Sequence, residues 1–199
     1  MSSKPPRLIV GLGNPGAEYS ETRHNAGFWF CERLAGDLGL RFNRESRFHG
    51  QVAKGPDGLW LLMPDTFMNR SGQSVSALAR FYRIAPEEIL VVHDELDLPP
   101  GQARLKFGGG LGGHNGLKDI TSHCGTQDYW RLRFGIGHPG DRNAVVSYVL
   151  KPPRKEEHEA IAVAMDRALL AWPDIARGAF EVATQKINTR PGRAKEATS

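Results

Sequence analysis

The chain alternates short apolar runs with polar breaks rich in glycine and proline. Leu8, Ile9 and Val10 form a run long enough for a buried strand and too short for a buried helix, and it stops at Gly11. From Asn25 to Leu40 the residues Phe28, Cys31, Leu34, Ala35 and Leu38 recur at helical spacing, with Gly39 as the stop. Leu59 to Met63 reads as a second buried strand closed by Pro64, and Val75, Leu78, Ala79 and Tyr82 mark an amphipathic helix after it. Ile89 to Val92 is a third buried strand, running into His93, Asp94 and Glu95. Ala103 to Phe107 alternates, with Ala103, Leu105 and Phe107 on one face and Arg104 and Lys106 on the other. Arg131 to Gly137 alternates likewise, which places Leu132, Phe134 and Ile136 inward and Arg131 and Arg133 outward. A short helix (Leu117, Ile120, Thr121) lies between these two strands. Val145 to Leu150 is apolar and is broken by Pro152 and Pro153. Ile161, Met165, Ala168, Leu169 and Trp172 then form a long helix face, and a last helix spans Pro173 to Ile187. Arg41 to Gly50 mixes three arginines with Phe42 and Phe48, a pattern that suits a charged edge strand as well as a nucleic-acid surface.

Buried strands alternating with helices predict an α/β fold, a sheet sandwiched between helices. The cation-bearing alternating strands predict that the sheet is mixed rather than purely parallel. No internal repeat and no linker divides the chain, so residues 1–199 are expected to form a single domain.

Composition narrows the class. No apolar run approaches the roughly 18 residues of a membrane helix, and MSSKPPR lacks the apolar core of a signal peptide. Two cysteines, Cys31 and Cys124, suit reduced intracellular thiols, so a soluble cytoplasmic protein is expected. The net charge is +4 and the sequence pI is near 9.2. Lys186, Arg190, Arg193 and Lys195 against Glu196 leave the C-terminus basic, and a mobile tail from about residue 188 is expected. Simple solvation and loose attraction for a polyanion such as RNA both fit that tail.

Chemistry-bearing residues gather after strand ends: Asn14, Tyr19, Arg23, His24 and Asn25; Phe67, Met68 and Asn69; His93 to Asp97. His114 and Asn115 close a loop with five glycines, Gly108 to Gly113, that no packed core requires. Gly11, Gly13 and Gly16 satisfy a dinucleotide fingerprint. However, Pro15 interrupts it, a polar run replaces the expected helix face, and Asp37 precedes any second strand. There is no GxSxG elbow, and neither cysteine lies near a polar cluster, so a serine or cysteine nucleophile is not expected. His93, Asp94, Glu95 and Asp97 crowd together, but strand neighbours point apart and no HExxH or CxxC spacing occurs. The chemistry that remains is a His–Asp pair activating water, with carboxamides binding the substrate and its oxyanion. An RNA-binding module without catalysis and a nucleotide-dependent oxidoreductase stand as alternatives. The first leaves the polar clusters unexplained, and the second depends on the weak glycine pattern.

The blocks GLGNPG, YSETRHNAG, PDTFMNRSG, HDELDLPPG, GGGLGGHNGLKDI and RLRFGIGHPG, in that order over about Arg7 to Leu150, resemble the bacterial-type peptidyl-tRNA hydrolase family. The resemblance implies a monomeric enzyme that cleaves the ester between a peptide and the terminal ribose of tRNA. It also implies no metal, no organic cofactor, no membrane and no obligate protein partner. By position in those motifs, His24 is the base that activates water and Asp94 holds it in its basic form. Asn14 and Asn69 bind the peptide backbone near the ester, and Asn69 also orients His24. Asn115 contacts the tRNA end or the attacking water. Tyr19 and Phe67, with Met68 beside them, line the site for the terminal nucleotide, and Lys106 and Arg133 grip the 5′-phosphate. His93 is expected to be a packed strand-end residue, while His114 is open to a structural role. Leu111 and the ending of the final helix depart from the family pattern without touching this chemistry.

Overall fold

The structure, a computed structural model, describes residues 3–188. Its strands are β1 (Leu8–Gly11), β2 (Asn43–Glu45), β3 (Gly50–Lys54), β4 (Trp60–Pro64), β5 (Ile89–Glu95), β6 (Ala103–Phe107) and β7 (Trp130–Gly135). They form one sheet in the order β2-β3-β4-β1-β5-β7-β6. β1 pairs in parallel with β4 and β5, and β5 pairs in parallel with β7. β2, β3 and β6 pair antiparallel at the two margins, so the sheet is mixed as expected. A parallel centre needs apolar cover on both faces, and the pleat of β1 provides for it. Ile9 packs into the cluster built with α1 (Ala26–Leu38), α5 (Lys155–Leu170), α6 (Trp172–Ala176) and α7 (Phe180–Ile187). Leu8 and Val10 pack into the cluster under α2 (Ser71–Phe81) and α3 (Asn115–Cys124). Among the described residues no helix is long and apolar enough to cross a membrane.

The predicted helix over Asn25–Leu40 forms from Ala26 to Leu38 and ends at Gly39 (φ 68°), the left-handed position that glycine fills without strain. Gly27 in its first turn lies so close to Leu12 N and Val92 O that a Cβ would collide with backbone. That close approach brings the start of α1 onto the carboxyl ends of β1 and β5.

Several expectations change. Gly50–Lys54 is a strand, although its mixed sequence shows no clear alternation. The last helix divides into α6 and α7 because Gly178, at φ 79°, turns the chain between them. His93, Asp94 and Glu95 belong to β5 itself rather than to a loop beyond it. Arg131, expected on a solvated face, is buried: it donates to Gly110 O at 2.5 Å and to Gln127 O at 3.3 Å beneath the glycine loop. The alternation was right about the face and silent about the loop that covers it. Of the C-terminal cations, Lys186 lies in the last turn of α7 and donates to Asp174 Oδ2, while Arg190, Arg193 and Lys195 lie outside the described residues.

Candidate active site

At the carboxyl edge of the sheet a cleft of about 280 Å³ is lined by Asn14, His24, Met68, Asp94, His114 and Asn115, among others. Such an edge is where open α/β sheets gather reactive groups. The members arrive from several elements. Asn14 follows β1, His24 sits in a 3₁₀ turn just before α1, and Met68 opens another 3₁₀ turn after β4. Asp94 projects from β5, and Asn115 begins α3.

Asp94 is buried and joins two imidazoles. His24 Nδ1 lies 3.0 and 2.9 Å from its two carboxylate oxygens, and His114 Nε2 lies 2.9 Å from Oδ1. The His114 tautomer follows from its other nitrogen, because Nδ1 accepts the Leu117 N–H at 3.3 Å as the cap of α3. Nε2 therefore carries the proton and donates to Asp94. By the same logic His24 donates from Nδ1 and keeps its Nε2 lone pair toward the cleft. Burial alone pulls the His24 pKa down, but the charge of Asp94 and the hydrogen bond to it outweigh burial, and the net shift is upward. Burial likewise pushes Asp94 up, and the two imidazoles overcome it, so Asp94 stays well below the usual carboxylate range. His93 faces the other side of the sheet. Burial and the neighbouring His114 pull it down to about 3, so it is neutral, and its Nδ1 donates to Asp94 O at 2.7 Å.

The loop of Asn14 is locked by reciprocal bonds. Asn14 N donates to Asn25 Oδ1 and Asn25 Nδ2 donates to Asn14 O, both at 2.9 Å. Met68 N donates to Asn14 Oδ1 at 2.7 Å, which commits the oxygen and leaves the Asn14 NH₂ as the group offered to the cleft. Gly116 permits this approach of α3, since a Cβ there would meet Met68 Sδ and Leu12 Cδ1.

Of the expected site residues, Asn14, His24, Phe67, Met68, Asn69, Asp94 and Asn115 line the one cleft. Asn69 is exposed and makes no hydrogen bond to His24, whose side-chain hydrogen bonds run to Asp94. Tyr19 stands outside the lining and packs edge-on against Phe67, with ring centroids 6.3 Å apart. Lys106 and Arg133 lie together at the β6–β7 margin, outside the lining of the cleft, where Arg133 Nη1 donates to Glu95 Oε1 at 2.9 Å. Two features went unread in the sequence. One is the part of His114 as second partner of Asp94. The other is α4 (Val145–Val149), whose Val146 is exposed and which with Leu150 forms an apolar wall of the cleft. The apolar run from Val145 to Leu150 was the available signal for the wall. His24, Asp94 and His114 also offer ligand atoms within 4.8 Å of one another, close enough to hold one ion. The spacings of 2.9 to 3.0 Å and the tautomer of His114 are those of hydrogen bonds to a carboxylate.

Fold and site together define an α/β protein that presents a carboxylate-backed imidazole, ringed by carboxamides, at the carboxyl edge of a mixed sheet. Residues 8–196 match the peptidyl-tRNA hydrolase family, and the chain belongs to that family. It is 73% identical over 192 residues to a peptidyl-tRNA hydrolase of Azoarcus sp. (strain BH72), covering 96% of this chain and 88% of that one. It is 72% identical over 196 residues to that of Aromatoleum aromaticum, covering 98% and 100%. Among solved structures, the Acinetobacter baumannii peptidyl-tRNA hydrolase superposes with a TM-score of 0.90 at 49% identity, over 96% of this chain and 97% of that one.

Proposed function

We propose that this chain hydrolyses the ester that joins a peptide to the terminal ribose of tRNA, with His24 as general base. The observation that carries the reading is the Nδ1 contact of His24 with buried Asp94, which leaves Nε2 facing a cleft edged by carboxamides. In this reaction Nε2 takes a proton from water as the water oxygen bonds to the ester carbonyl carbon. The Asn14 NH₂ donates to the oxygen that becomes negative, and Asp94 stabilises the imidazolium. The C–O bond to the ribose then breaks and His24 returns the proton to the departing ribose oxygen. Asn69 and Asn115 are polar contacts for the peptide backbone and the tRNA end, and Tyr19 and Phe67 are stacking surfaces for the terminal nucleotide. Lys106 and Arg133 receive the 5′-phosphate. The protein works as a single-domain monomer in the cytoplasm, without metal.

The deciding experiment compares hydrolysis of N-acetyl-aminoacyl-tRNA and unblocked aminoacyl-tRNA, each with and without prior chelation. Rapid, chelator-resistant release from the blocked substrate is expected. Activity lost on chelation and restored by zinc or manganese would make His24, Asp94 and His114 a metal site instead.

A further inference from the structure

Beneath the glycine loop, on the α3 side of the sheet, lies a second and much smaller space. It measures about 20 Å³ and is lined by His93, Glu95, Lys106, Leu117, Arg131 and Arg133, together with loop residues. The register explains the grouping: His93 pairs across with Arg133, and Lys106 with Arg131. Seven buried side-chain nitrogen or oxygen atoms among the described residues lack a protein hydrogen-bond partner. Three of them belong to residues lining this space: His93 Nε2, Arg131 Nε and Arg133 Nε. Buried polar groups in folded proteins are nearly always partnered, so such a concentration points to a ligand.

Apart from Arg133 Nη2, which is not among the buried atoms, the other polar atoms of these residues are committed. His93 Nδ1 donates to Asp94 O, Arg131 donates to Gly110 O and Gln127 O, and Arg133 Nη1 donates to Glu95. What remains is two N–H donors and one imidazole lone pair. An anion would accept from both arginines but would set its charge against the lone pair of His93. A water molecule accepts twice and donates to Nε2, which satisfies all three, and its second proton is available to Glu95. The volume suits one water. We propose that this cavity is a binding site for a single water molecule held by His93, Arg131 and Arg133. Through that water and through its Nδ1 bond to the Asp94 carbonyl, His93 is the positioning residue for the carboxylate that carries His24. The water site rests on geometry alone, and its catalytic consequence rests on the proposed role of Asp94.

The first test is nuclear magnetic resonance of the wild-type chain labelled with ¹⁵N at histidine and arginine. The expected result is His93 protonated at Nδ1 with a hydrogen-bonded Nε2 near neutral pH, and the Nε–H groups of Arg131 and Arg133 cross-relaxing with a long-lived water. Adding chloride or inorganic phosphate should leave the His93 Nε2 and Arg131 Nε–H signals and their water contact in place, whereas phosphate meeting the free arm of Arg133 shifts that residue alone. A His93 or Arg131 signal that moves on anion addition, or the lack of a water contact, overturns the site. The second test is kinetic. His93→Gln still reaches the water but loses the Nδ1 donor, whereas His93→Phe loses both. Each should lower kcat by about tenfold, below the ~10²-fold that a 1 Å misplacement can cost. KM should stay within about twofold, and the acid limb of the pH–rate profile should move because the Asp94–His24 contact relaxes. The water signal should persist in His93→Gln and vanish in His93→Phe. Unchanged kcat and pH profile in the folded His93→Gln protein would end the positioning role. Failure of the wild type to hydrolyse peptidyl-tRNA would instead count against the functional reading and leave the resonance result standing.

Discussion

Replacing Asp94 by Asn keeps the shape of the side chain and removes its charge, which separates its two effects on His24. The carboxylate raises the His24 pKa against the pull of burial. The wild-type acid limb of kcat/KM is therefore expected above the ordinary imidazole value of about 6.5, and in Asp94→Asn it should move to lower pH. The rate at the plateau should fall more than about tenfold, because the imidazolium formed in the reaction loses its counter-charge. His24→Ala should lose on the order of 10²–10⁴ in rate, the usual worth of a general base, while remaining folded and able to bind tRNA. His93 provides a measurement on stability. Its folded pKa is pulled down to about 3, so between that value and about 6.5 the unfolded chain binds the additional proton. This contribution is complete above about pH 6.5 and is lost as pH falls. From pH 7.5 to 5 it amounts to about 2 kcal/mol. Denaturant unfolding at the two pH values should show the wild type losing about that much more stability than His93→Phe, less the opposite and smaller change from His24 as its Asp94 contact relaxes in the variant. Equal losses would mean that His93 takes up its proton in the folded protein.

At the level of elements, the site is precise because its loops are tied to one another rather than to solvent. Asn25→Ala would leave Asn14 N and Asn14 O buried without their partner, at about 1–3 kcal/mol. It should also lower kcat, because the Asn14 NH₂ then wanders from the position of the developing oxyanion. Unaltered kcat alongside lowered stability would confine Asn25 to folding. A comparable tie runs from the His24 turn to α4. Arg23 stacks over the Tyr148 ring at 3.8 Å, donates to Tyr148 O at 2.9 Å and pairs with Glu157 at 3.1 Å. The apolar wall is thereby fixed to the residue next to the base. Much of this frame was legible in the chain. The runs at Leu8–Val10, Leu59–Met63 and Ile89–Val92 are the parallel centre, and the polar residues after them are the cleft. What could not be read depends on contacts between distant segments. The burial of Arg131 needs the glycine loop folded over β7, and the part of His114 needs α3 docked with its capping residue against Asp94. The strand at Gly50–Lys54 forms because β4 offers it an edge, not because its own sequence demands one.

Across the whole molecule, the cleft lies at the carboxyl ends of β1, β4 and β5, whereas Lys106 and Arg133 lie at the β6–β7 margin. A tRNA acceptor end bridging the two would place its ester at His24 and its 5′-phosphate at the cations. Lys106 is exposed and acts as a point charge. Arg133 already commits Nη1 to Glu95, so it offers a phosphate one arm rather than a fork. Each cation should therefore contribute a single charge-assisted contact. Losing either should raise KM and flatten the dependence of log affinity on log salt by roughly 0.7–0.9, the yield of one phosphate contact. Turnover at saturation should hold in Lys106→Ala, because this binding is shared by ground and transition states. The comparison that decides the matter uses substrates with and without the 5′-phosphate. Dephosphorylation should weaken the wild type and make little further difference to Lys106→Ala or Arg133→Ala. If the variants lose as much on dephosphorylation as the wild type does, the two cations meet the tRNA elsewhere, and the path from cleft to margin does not follow the acceptor end.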